Sequence, residues 1–149
     1  RNFVDEFGYV SRYDTLKTNI LLTRLKNIKN IISKRRNNAK LYFKYIDKKN
    51  VYIPPETTNE FNTYHTFVIQ VKKREQLIKF LRKKNISTAI HYPIPIHLQK
   101  AFKRIYNSKI HLPKTIKQSK EILSLPINEH LTKKEIKFIS ESINKFYKL

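Results

Sequence analysis

Asn85-Ile86-Ser87-Thr88-Ala89-Ile90-His91-Tyr92-Pro93-Ile94-Pro95-Ile96-His97-Leu98-Gln99 joins a short apolar strand to an arm stiffened by two prolines. Each proline fixes its own φ and pushes the residue before it out of the helical region. The arm therefore reads as rigid and extended, with two imidazoles and a phenol held in set directions. Rigid loops on a scaffold are where sites concentrate, although the same rings could equally pack a turn. Upstream, residues 64–71 alternate with β-branched and aromatic side chains and read as a strand. Residues 74–84 carry Leu77, Ile78 and Leu81 at helical spacing. With the strand at 86–90, the order predicts a β-α-β unit.

Toward the N-terminus, Leu21, Leu25, Ile28, Ile32, Arg35, Ala39, Tyr42 and Ile46 recur at steps of four and three. That spacing predicts one apolar stripe on a helix over 14–47, capped by Ser11 or Asp14. Such a length exceeds the usual globular helix, so the helix is either kinked or joins two bodies. Gly8 is the only glycine of the chain, which points to a positive φ or a close backbone approach. Arg12, four residues later, has the planar fork to hold a carboxylate or phosphate. Toward the C-terminus, residues 98–106 predict a short helix, and Pro113 opens another that runs to about residue 123. Ser124-Leu125-Pro126-Ile127 is extended. Thr132 and Glu135 form a capping box before a last helix with Ile136, Ile139, Ile143 and Phe146 inward.

Composition bounds the function. A chain of 149 residues suits one compact domain with a real core. Thirty-two Lys+Arg against 11 Asp+Glu give a formal charge of +21, a balance that favours polyanions. Yet lysine outnumbers arginine 24 to 8, and 20 Ile and 13 Asn stand against three Ala. An A/T-rich coding sequence produces that bias without selection for a partner, and the charges spread over every segment. They read as solvated faces, so nucleic acid is not the expected partner. No cysteine is present, which removes disulfides and thiolate metal sites. No apolar run approaches the roughly 18 residues of a membrane span. The expectation is a cytoplasmic protein. With Arg1 first and no methionine anywhere, the chain reads as a fragment or processed piece.

A single glycine removes glycine-rich phosphate loops and dinucleotide folds. There is no His-Glu-x-x-His pair, and five scattered histidines lack metal-ligand spacing. What remains are Gly8 to Arg12 and the arm from His91 to His97.

Four segments, in order, resemble the C-terminal part of the DegT/DnrJ/StrS family, pyridoxal-phosphate-dependent aminotransferases of nucleotide-linked keto sugars. Gly8-Tyr9-Val10-Ser11-Arg12-Tyr13-Asp14 is similar to the family's Gly-x-Asn-x-Arg-Leu-Asp entry to a long helix. Arg35-Arg36-Asn37-Asn38-Ala39-Lys40-Leu41-Tyr42 resembles its Arg-Arg-x-x-Ala-x-x-Tyr stretch. The arm matches His-Tyr-Pro-x-Pro-x-His-x-Gln, the most specific of the four. Leu123-Ser124-Leu125-Pro126 is similar to its closing Leu-Ser-Leu-Pro segment.

The resemblance implies an α/β fold: the small C-terminal domain of a fold-type I aminotransferase, with a mixed or antiparallel small sheet and flanking helices. Residues 1–13 would end the large cofactor domain, 14–47 would bridge, and 48–149 would form the small domain. It also implies a homodimer, an amino-acid donor such as glutamate, and a nucleotide-sugar substrate. The lysine that carries pyridoxal 5'-phosphate would lie outside these residues, so the fragment alone would be inactive. By position, Arg12 would hold an anionic group at the neighbouring subunit's site. His97 would face the substrate, with His91 and Tyr92 shaping the wall. Ser11 and Val10 fall where the family binds cofactor phosphate. Val10 replaces an Asn there, and a lost charge-assisted bond costs about 1.5–3 kcal/mol. Two other readings are a cofactor-using dehydratase of the same family and a basic nucleic-acid-binding module. The module would need aromatics exposed together on the sheet, and the odd spacing of Tyr64 and Phe67 sets them on opposite faces.

Overall fold

The computed structural model describes Phe3, Gly8 and residues 14–106 and 110–148. Helices α1 (Thr15–Lys26) and α2 (Ile28–Tyr45) lead into β1 (Val51–Tyr52), β2 (Phe67–Val71) and α3 (Arg74–Arg82). A 3₁₀ turn at Ile96–Leu98, α4 (Lys100–Ile105), α5 (Pro113–Glu121), β3 (Ile122–Leu125) and α6 (Lys133–Phe146) follow. The three strands form an antiparallel sheet in the order β1-β2-β3.

Strand alternation separates the two faces of this sheet. Phe67, Ile69 and Val71 on β2 are buried, as are Leu123 and Leu125 on β3, paired Phe67 to Leu125 and Ile69 to Leu123. They meet Ala39 and Tyr42 of α2, Leu77 and Leu81 of α3, and Ile136, Ile139 and Ile143 of α6 in one core. Tyr42 stacks on Phe67 at 4.7 Å, and its hydroxyl donates to the Pro126 carbonyl at 2.7 Å. Gln70 and Ser124 occupy the alternate positions. Gln70 donates to Glu121 of α5 at 2.6 Å, so α5 covers the opposite face.

The β-α-β reading is modified. Only Ala89 of the segment at 86–90 pairs with the sheet, antiparallel to Ser124, through hydrogen bonds of 3.1 and 2.8 Å. Since β2 also runs antiparallel to β3, Ala89 runs parallel to β2 with β3 inserted between them. The unit is a split β-α-β. The inserted strand arrives more than 30 residues later in sequence, beyond the reach of local pattern. It also begins at Ile122, where the helical spacing had carried α5 to about residue 123. The turn from α3 into this segment is made by Asn85, whose φ of 58° is left-handed, a conformation asparagine tolerates.

Three other expectations change. The helix over 14–47 divides at Asn27 (φ −105°, ψ 8°), whose N–H turns back to Arg24 O. Asp14 is its cap, accepting from Lys17 N at 2.8 Å. The apolar stripe is buried only in α2: Ile31, Ala39 and Tyr42 are enclosed, whereas Leu21, Leu25 and Ile28 are exposed and α1 buries nothing. Tyr64 and Phe67 do not face opposite ways. Tyr64 precedes β2 with a φ of 50°, which breaks the alternation, and both rings are buried 6.1 Å apart. For Gly8, a Cβ added to the backbone would meet none of the described residues within 4 Å, so no close approach is seen among them.

Candidate functional site

The arm leaves the sheet where Ala89 bridges β3, two residues before His91. Because β3 alternates, Ser124 points away from the core that takes Leu123 and Leu125, and its Oγ lies 2.9 Å from His91 Nδ1. Tyr92 meets His91 edge-on at 5.4 Å and is 70% exposed. Pro95 is extended (φ −58°, ψ 147°), but the arm does not stay extended beyond it. Buried Pro95 accepts from Leu98 N at 2.9 Å, closing the 3₁₀ turn that carries His97. Gln99 Nε2 donates to Ile94 O at 3.5 Å and ties the far end of the arm.

His91 and Tyr92 are thus presented together on the exposed side of the arm. His97 is on its inner side, 8% exposed, and Nε2 is enclosed with no hydrogen-bond partner among the described residues. It lies beside a cavity of about 510 Å³ walled mainly by Ile94, Pro95, Phe102, Leu112 and Ile122. Arg12, Val10 and Ser11 lie outside the described residues. Ser124 was not singled out from the sequence for a role at the site. Its signal was a small polar residue between two leucines on an extended segment, a position that strand alternation turns to the arm.

The α2 arginines serve the scaffold. Arg35 donates to Glu129 at 3.2 Å and to the carbonyls of Tyr64, His65 and Ile127. Arg36 grips Glu56 through two bonds, 2.6 and 3.1 Å, and lies over the Phe61 ring at 4.4 Å. Hydrogen bonding from Arg36, then from Asn62 N–H, holds the Glu56 carboxyl at about 2. Among the described residues no group of three or more His, Asp or Glu is placed to hold a metal ion. No described helix is long and apolar enough to cross a membrane.

Residues 1–144 match the model of the DegT/DnrJ/EryC1/StrS aminotransferase family. The chain is 32% identical over 139 residues to a dTDP-3-amino-3,6-dideoxy-α-D-galactopyranose transaminase of Aneurinibacillus thermoaerophilus, covering 93% of this chain and 38% of that protein. It is 31% identical over 144 residues to a pleiotropic regulatory protein of Geobacillus stearothermophilus, covering 95% and 39%. The chain therefore spans about two fifths of the length of these curated relatives. The fold matches the crystal structure of S. venezuelae DesV with a TM-score of 0.84 at 24% identity, over 95% of this chain and 38% of that one. The small antiparallel sheet and flanking helices are the C-terminal portion of a fold-type I aminotransferase, and the chain belongs to the DegT/DnrJ/EryC1/StrS aminotransferase family.

Proposed function

We propose that the protein carrying these residues transfers an amino group from an amino acid, glutamate, to the keto carbon of a nucleotide-linked sugar, with pyridoxal phosphate as cofactor. The observation that carries this reading is the match, over 93% of the chain, to a dTDP-amino-sugar transaminase. The family is pyridoxal-phosphate-dependent in general. When bound, the cofactor supplies an electron sink for the proton shift at the carbon exchanging its amino group. The exposed polar edges of His91 and Tyr92 fit the wall of a sugar site. Val10 and Ser11, where the resemblance puts cofactor phosphate, are outside the described residues, and the Schiff-base lysine is assigned to the large domain.

In this reading residues 1–13 close the large domain, 14–47 join the domains and 48–149 form the small domain of a homodimer. The uncovered apolar residues of α1, Leu16, Ile20, Leu22 and Leu25, suit a joining element better than a surface helix. Arg12 holds an anionic group of the substrate, and His97, whose Nε2 has no hydrogen-bond partner among the described residues, faces the substrate with His91 and Tyr92 shaping the wall.

The test is conversion of glutamate to 2-oxoglutarate by the full-length protein with pyridoxal phosphate and a panel of nucleotide-linked keto sugars. Turnover dependent on both cofactor and sugar is expected. No turnover with any member, from protein that binds the cofactor, would overturn the reading. Arg12→Ala and His97→Ala are each expected to lower kcat/KM by about tenfold or more with the fold intact, the loss of one buried hydrogen bond to a ligand. Wild-type rates in both would remove the site assignment.

A further inference from the structure

Ser124 has one side-chain partner among the described residues, His91 Nδ1 at 2.9 Å. Its backbone N–H and carbonyl are both taken by Ala89. The residue is 5% exposed, so solvent does not readily replace that partner. A hydroxyl beside a ring nitrogen allows two proton arrangements, and the hydrogen bond at one nitrogen decides which nitrogen of a neutral imidazole carries the proton. With the proton on Nδ1, the ring donates and the Ser124 O–H is left buried without an acceptor. With the proton on Nε2, the hydroxyl donates to Nδ1 and both groups are satisfied. Burying an unpaired donor is the costlier state, by enough to bias the tautomers tenfold or more.

We infer that Ser124 is a positioning residue that holds neutral His91 as its Nε2–H tautomer, so that the arm offers the bound ligand a hydrogen-bond donor. The nitrogen remote from Ser124 then carries a proton, and the ring is exposed beside Tyr92. Such a group grips an acceptor oxygen of the ligand, a sugar hydroxyl or carbonyl oxygen, and cannot take a proton from it without first breaking this arrangement. The inference deepens the aminotransferase reading and rests on it only for the ligand being a keto sugar.

The tautomer is read directly by long-range proton–nitrogen correlation on histidine-labelled protein at about pH 8, above the ordinary imidazole range. His91→Gln assigns the signal among the five histidines. A protonated Nε2 and an acceptor-type Nδ1 are expected in the wild type. In Ser124→Ala an Nδ1–H population should appear, and Ser124→Thr should remove it. A wild-type ring protonated on Nδ1 overturns the inference, as does a His91 signal that Ser124→Ala leaves unchanged. The wild-type spectrum decides even where the alanine variant fails to fold. In turnover, Ser124→Ala is expected to raise KM for the sugar severalfold while kcat stays within about twofold. A loss confined to kcat would make His91 a base and overturn the donor role. Absence of all transamination would sink the functional reading and leave the tautomer result standing.

Discussion

Glu129 accepts from Arg24 of α1 at 3.0 Å and from Arg35 of α2 at 3.2 Å, with its side chain 8% exposed. A backbone hydrogen bond, then those guanidinium groups, draw its carboxyl from the ordinary 4.5 down to about 2. Its folded value lies below its unfolded one, so its stabilisation is complete above about pH 4.5 and is lost as pH falls toward 2. Denaturant titrations across that window are expected to show a shallower acid loss in Glu129→Gln than in the wild type. An unchanged slope would mean that the carboxylate is not held in solution. Tyr42→Phe is the complementary case. It keeps the ring stacked on Phe67 but strips the Pro126 carbonyl of its partner, at a cost of about 1–2 kcal/mol in the same titration. Of these residue-level facts, the sequence showed Tyr42 on an apolar stripe and nothing of Glu129, because the partners of Glu129 lie about a hundred residues away.

α6 shows how far an element can be read locally. Thr132 Oγ1 accepts from Glu135 N at 3.3 Å, and the Glu135 carboxylate accepts from Thr132 N at 2.7 Å, the capping box its spacing implied. Thr132→Ala is expected to cost about 1 kcal/mol, seen as a lowered Tm, because one capping acceptor is lost. The same local reading gave a helix over 14–47 that is either kinked or joins two bodies, and Asn27 divides it. Helical periodicity continues on both sides of a turn, so the pattern could not distinguish a break from a kink. The two halves differ in what they touch. Leu25→Ser in α1 is expected to change the stability of the described body by no more than about 0.5 kcal/mol. Leu77→Ala in α3, fully buried between sheet and α6, should cost about 2–5 kcal/mol. Urea midpoints on both variants check the contrast. A large loss in Leu25→Ser would show that α1 is already packed against the rest of the chain.

For the whole molecule the dominant electrostatic fact is excess like charge, 32 cations against 11 anions. Self-repulsion of that size opposes compaction, and salt screens it, with a Debye length falling from about 30 Å at 0.01 M to about 3 Å at 1 M. Tm is therefore expected to rise with sodium chloride over that range. A falling Tm would mean that the Arg–Glu pairs outweigh the net repulsion. The sequence by itself determined the helical character of α2, α3 and α6, the strand character of β2, the proline arm with His91 and Tyr92, the capping box, and Leu77 and Leu81 of the core. Each follows from spacing, dihedral restriction or burial preference within a few residues. Tertiary structure alone decided that β3 slips between β2 and Ala89, that α1 stays uncovered, and that Ser124 meets His91. Those depend on which distant backbone fills a strand's free edge. Hydrogen-bond satisfaction across the sheet settles that question, and no local pattern encodes it.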